Sequence, residues 1–195
     1  MKAHTLLLAL ALAFSAAHAS ETRTTEQRAR LDRLAYEIFE PKVPGLEYRY
    51  ERVKSKDLFA RFGAPTIKSV GQYRHIDPLP NAPTHIQTIT WQFPGMVLEV
   101  GAYPPSPTHA PQQVWLSDVE ISSSKYRLKH GLRVGQSQAA FVSKLGEPTG
   151  QYESTMYYLV NEEIEDGPGY YRVIFYRISL SLDADGKVKK IEWHW

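Results

Sequence analysis

Carboxylates gather once along this chain, at Glu162-Glu163-Ile164-Glu165-Asp166, four acids in five residues. Two carboxyl groups held in different environments can divide the general-acid and general-base roles, because their pKa values are pushed apart. A mobile loop does not hold carboxyls that way, so the run does not point to catalysis. It reads either as a solvated hairpin tip or as a negative recognition loop entering the basic cleft of a partner, with charge steering the encounter. The corresponding segment of the first half is Asp77-Pro78-Leu79-Pro80-Asn81-Ala82-Pro83. Its three prolines make it cheaper to order on binding, which brings Asp77 and Asn81 into the same recognition reading.

Tyrosines crowd the same region: Tyr152, Tyr157, Tyr158, Tyr170, Tyr171 and Tyr176. On a strand, consecutive residues such as Tyr157-Tyr158 must point to opposite faces, so one of each pair stands away from a helix-covered side. They serve either as cross-strand packing or as an aromatic contact surface of the kind enriched at interfaces. The candidate contact set is therefore Asp77, Asn81, Tyr157, Tyr158, Glu162, Glu163, Glu165, Asp166, Tyr170 and Tyr171.

Other chemistry finds little support. His75-Ile76-Asp77 and Glu192-Trp193-His194 place an imidazole and a carboxylate two residues apart, on one face of a strand. A metal site wants more ligands than that, so neither a metal nor a cofactor is expected. There is no cysteine to act as a nucleophile. No Gly-x-Ser-x-Gly, His-Glu-x-x-His, phosphate loop or Gly-x-Gly-x-x-Gly occurs, and an enzyme is not expected.

The elements that must carry these residues show an internal similarity. Leu58-Phe59-Ala60-Arg61-Phe62-Gly63-Ala64-Pro65-Thr66 matches Phe141-Val142-Ser143-Lys144-Leu145-Gly146-Glu147-Pro148-Thr149 in chemical class, 83 residues on. Each copy predicts a short helix. Ser55 and Ser137 serve as N-caps, Leu58, Phe59, Phe62 and Ala140, Phe141, Leu145 form apolar stripes, and Gly63 and Gly146 with the following prolines are stops. Helices of two turns are marginal alone and must dock on a sheet. Strands are predicted over 69–76, 85–93, 96–103 and 113–121, then 151–160, 170–182 and 187–195, with a Pro94-Gly95 hairpin turn and a last turn at 183–186. A longer amphipathic helix, Thr25 to Glu40 with Leu31, Leu34 and Ile38 on one stripe, precedes both. Its second-half counterpart shrinks to residues 122–128. The expected fold is α+β, a tandem repeat of two helix-plus-antiparallel-sheet units preceded by an amphipathic helix. Its boundaries are 20–45 for the helix, 46–124 for the first unit and 125–195 for the second.

Leu132-Arg133-Val134-Gly135-Gln136-Ser137, then Phe141 and Lys144-Leu145-Gly146-Glu147-Pro148, resembles the pattern of the β-lactamase-inhibitor-protein-like superfamily. That superfamily includes a small lipoprotein of the outer-membrane barrel-assembly machinery. The first half keeps only Phe62-Gly63-Ala64-Pro65 and the strands. The resemblance implies tandem units over roughly residues 46–195 and a protein-binding role, either as an enzyme inhibitor or in envelope assembly. The chain has no cysteine for the disulfides or the lipid anchor known in those relatives.

Composition bounds the rest. The 195 residues carry a formal charge of +2, 12% aromatic residues and no cysteine, which excludes a disulfide-stapled mini-protein, a cysteine-liganded metal site, a disordered tail and a strongly basic nucleic-acid arm. Met1-Lys2-Ala3-His4 followed by the apolar run Thr5–Phe14 and Ala17-His18-Ala19 reads as a signal peptide over 1–19, too short to span a bilayer. A cysteine-free chain in an oxidising compartment must be held by its core alone. The sequence thus predicts an exported, periplasmic or secreted protein with a protein partner, without a transmembrane segment in the mature chain.

Overall fold

The computed structural model describes residues 23–40, 52–73, 86–103, 105–107, 111–167 and 170–194. For 161–167 and 170–175 the backbone alone is described. The expected signal peptide and the segment with Asp77 and Asn81 lie outside these ranges.

Helix α1 spans Thr25–Tyr36. Thr24 and Gln27 close a reciprocal capping box at its start, Glu26 in the first turn and Arg33 in the last complement the helix dipole. It stops short of the expected Glu40. The chain leaves the helix at Glu37, and Phe39 forms a bridge with Leu128. Leu31, Leu34, Ala35 and Ile38 are buried. The two-residue strand β1 (Val53–Lys54) leads into α2 (Ser55–Phe62). Ser55 does not cap this helix, as its position had suggested. It is the first helical residue, and its buried hydroxyl donates to the Pro111 carbonyl. In α3 (Gln138–Leu145) Ser137 does cap, accepting the Ala140 N–H at 3.3 Å. Gly63 and Gly146 end their helices at φ +90° and +80°, backbone that glycine alone enters freely.

The strands are β2 (Thr66–Tyr73), β3 (Ile86–Phe93), β4 (Met96–Ala102), β5 (Gln113–Ile121), β6 (Gly150–Tyr152), β7 (Thr155–Gly167), β8 (Tyr170–Leu182) and β9 (Val188–His194). All pair antiparallel, in the order β2-β3-β4-β5-β9-β8-β7-β6, with β1 on the free length of β5. Alternation in their sequences puts Ile89, Trp91, Leu98, Val119, Ile178, Leu180, Ile191 and Trp193 on one face, fully buried or nearly so.

This order corrects the expected tandem of two helix-plus-sheet units. Strands β5 and β9, each expected to close its own unit, pair with one another from Asp118↔His194 to Ile121↔Ile191. Two small sheets would each have left an edge of unpaired N–H and C=O groups there; joining them removes both edges. The apolar side chains follow suit. Leu34 of α1, Leu58 of α2, Phe141 of α3 and strands from both halves form one continuous core. The molecule is one large open antiparallel sheet with its helices on a single face.

The second correction concerns the acidic run. Strand β7 does not end near residue 160 but continues to Gly167, with Glu162, Glu163 and Glu165 paired opposite Ile174, Val173 and Tyr171. The four acids lie on a strand rather than at a hairpin tip. The ladder runs on beyond them to the Gly167↔Tyr170 pair.

Near the start of α1, Arg23 is nearly buried against the end of α3. Its guanidinium donates to the Glu147 carbonyl at 2.6 Å and the Thr149 hydroxyl at 3.3 Å, and lies 5.4 Å from the Tyr158 ring centroid. Burial pulls the Arg23 pKa below its ordinary value. The same burial holds the Tyr158 phenol far above its usual range, so it stays a neutral donor to the Gly146 carbonyl at 3.1 Å. This cluster fixes α1 onto α3 and thereby completes the helical cover.

Candidate functional site

The face of the sheet turned away from the helices carries polar residues at the alternate positions. Strand register lines up one row across seven strands, polar except at its last member: Ser69, Thr90, Glu99, Asp118, His194, Arg177 and Leu159. The next row runs Gln92, Val97, Glu120, Glu192, Ser179 and Tyr157. Directly opposed residues on neighbouring strands stand close enough for their side chains to touch.

The contacts are specific. The Ser69 hydroxyl donates to Thr90 Oγ1 at 2.7 Å. His194 Nδ1 and Asp118 Oδ1 are 2.8 Å apart, both groups well exposed. Lys190 sits 2.8 Å from Glu192 and 3.8 Å from Glu120, and its pKa is raised chiefly by the hydrogen bond to Glu192. Arg177 donates from Nε to Ser179 at 3.0 Å while its guanidinium lies 5.1 Å from the Tyr157 ring centroid. Trp115 folds over Gly101; a Cβ there would stand 2.3 Å from the indole. Glu99, two residues before that glycine on the same face, has its pKa raised first by desolvation and then by Asp118 beside it.

This arrangement contains an imidazole–carboxylate pair and two neighbouring carboxyls, yet no hydroxyl is hydrogen-bonded to the His194 ring among the described residues. Triad chemistry requires that third member. Among the described residues no three His, Asp or Glu side chains are arranged to hold a metal ion. What the surface does offer is a rigid field of alternating charge with aromatic patches at Trp115 and Tyr157.

Of the residues singled out from sequence, Tyr157 belongs to this face and Tyr158 to the other. Tyr158 is fully buried, so it has no surface to present to a partner. Glu162, Glu163, Glu165, Asp166, Tyr170 and Tyr171 lie on the outer part of the β7–β8 ribbon. Beyond the Arg177↔His194 pair, these two strands continue without a β9 residue opposite them among the described residues. Glu99, Asp118, Arg177, His194 and Trp115 were not among the expected site residues. Simple alternation along Gln113–Ile121 would set Trp115, Ser117 and Val119 on one face. An irregularity at Ser117 shifts the register, so that Trp115, Asp118 and Glu120 share the open face instead.

No helix among the described residues is long and apolar enough to cross a membrane. Comparison with family models, with curated proteins and with solved structures finds no match for this chain.

Proposed function

We propose that this chain is an exported, non-enzymatic protein-binding molecule that holds its partner on the open face of the sheet, with the acidic β7–β8 ribbon extending the contact. The most concrete form is an inhibitor of a periplasmic or secreted enzyme. One observation carries the reading: the Glu99-Asp118-His194-Arg177 row, drawn from four adjacent strands, is displayed on a frame whose reverse side is packed and dry. Preorganised charge of both signs favours one docking register and penalises others. The leader-like start of the sequence supports export, and the resemblance of the Leu132–Pro148 segment supports a binding role.

Strand β2 favours a second reading, an envelope assembly factor. It pairs with β3 alone among the described residues, and Ile67 and Val70 are 44% and 41% exposed. An edge of this kind accepts an added strand from another protein.

Affinity capture from periplasmic extract with residues 20–195 tests both. The inhibitor reading expects an enzyme to be retained by the wild type and lost with the pair Asp118→Lys and Arg177→Glu. Retention by that double variant would sink the open-face model. Loss on placing a proline in β2, with the open-face variant still competent, would establish the assembly reading instead.

A further inference from the structure

On the helix side, away from the open face, a groove of about 270 Å3 lies between α2, the segment after α1 and residues 125–127. Its floor is aromatic and fixed. The Phe62 ring is 5.0 Å from Phe39 and 5.8 Å from Tyr126 between centroids, and edge-on to Phe93 in the core at 5.8 Å. The Tyr126 hydroxyl donates to the Pro94 carbonyl at 3.0 Å, which anchors that ring to the β3–β4 turn.

Three cations line the groove: Arg61, Lys125 and Arg127. Two are held against the floor, the Lys125 ammonium 4.7 Å from the Tyr126 centroid and the Arg61 guanidinium 5.8 Å from that of Phe62. For Lys125 this contact places the charge without neutralising it. Among the described residues neither Lys125 nor Arg127 has a carboxylate within salt-bridge distance. Among the described residues the one acid in the groove wall is Glu40, whose carboxylate accepts the Gly131 N–H at 3.2 Å.

We infer that this groove is a binding site for an acidic peptide segment, one that presents carboxylates to Lys125 and Arg127 and an apolar side chain to the Phe62–Tyr126 floor. Charge and shape both select that occupant. Sites for whole small molecules run from roughly 300 to 1,000 Å3 and enclose most of the ligand. A smaller, open groove takes side chains from a passing chain. The site does not depend on the open-face reading, since the two surfaces lie on opposite sides of the sheet.

The probe is a synthetic peptide, Leu-Val-Asn-Glu-Glu-Ile-Glu-Asp-Gly-Pro, which copies residues 159–168 of this chain as a ready acidic sequence, labelled for fluorescence anisotropy and titrated with residues 20–195 at low ionic strength. It offers four carboxylates around one isoleucine. Binding should weaken as salt rises through about 0.15 M, where charges separated by more than roughly 8 Å are screened. The double variant Lys125→Glu, Arg127→Glu should bind at least about tenfold more weakly, and Lys125→Gln should fall between it and the wild type. Both positions are exposed, so unchanged thermal unfolding would show that the fold is kept. Equal affinity for an all-glutamine analogue of the peptide, or undiminished binding by the double reversal in the folded variant, would overturn the assignment.

Discussion

The two faces of one sheet do different work, although the same strands build them. Along β9, Ile191 and Trp193 are buried in the core while Glu192 and His194 stand on the other side among Glu120, Asp118 and Ser179. The covered face is dry, continuous across both halves of the chain and fastened by α1, α2 and α3. The open face is a charged lattice whose members touch across strands but bury little. Stability should reside in the first and recognition in the second, because burial contributes far more free energy than exposed ion pairs do.

Breaking the covered face gives the largest expected effect. Trp193→Ala should destabilise by about 3–5 kcal/mol, the range for emptying a large buried aromatic site. Trp193→Phe should cost much less, since among the described residues the buried indole N–H has no hydrogen-bond partner to lose. Chemical denaturation of both variants checks this, and similar losses in the two would show that the indole is not simply filling space. Gly146→Ala comes next, at about 1–3 kcal/mol for forcing a side chain into positive φ. The new methyl would also stand 2.7 Å from Arg23 Cγ and loosen α1 from α3. Proteolysis near residue 23 should therefore quicken in this variant. Tyr158→Phe removes the hydrogen bond to the Gly146 carbonyl and should cost about 0.5–1.5 kcal/mol, seen as a lower urea midpoint.

The open face should behave in the opposite way. His194→Ala and Asp118→Asn should each change stability by less than about 0.5 kcal/mol yet weaken capture of the protein partner. Stability loss as large as that of Tyr158→Phe would erase the distinction between the faces. The smallest effect concerns pH. The raised pKa of Glu99 means that the folded protein holds this proton more tightly than the unfolded chain does, so its contribution favours folding at low pH and is lost as pH rises through the folded value. Glu99→Gln removes that penalty. The variant should match the wild type at about pH 3, below the ordinary carboxylate range, and exceed it slightly near neutrality, by no more than about 0.5 kcal/mol at this half-buried, solvent-screened site. Urea midpoints across the range measure it; a variant less stable than wild type at neutral pH would reverse the sign and refute the assignment of cause.

Local structure was largely legible in the sequence. Ser137, Gly146 and the apolar stripe of Phe141 and Leu145 give α3, and Leu31, Leu34 and Ile38 face the core as their spacing predicts. Alternation located most strands to within a few residues. The site was less legible. Tyr157 was found because consecutive strand residues must part, whereas nothing local tells which of Tyr157 and Tyr158 faces the helices. Asp118 was hidden by the irregularity at Ser117, and the acidic run was placed in a loop because charge density resembles a turn when the partner strand is not known.

Sequence alone determined the Ser137 start of α3, the glycine stops of α2 and α3, most of the alternation of the strands and the lack of any disulfide constraint, because capping, glycine stops and period-two patterning act over a few residues. Tertiary structure decided that β5 and β9 join, which merges two expected units into one sheet. It also decided that Glu99, Asp118, His194 and Arg177 form a row. Pairings between residues 76 positions apart, as in Asp118 and His194, depend on register and on the removal of open edges, and no local pattern encodes either.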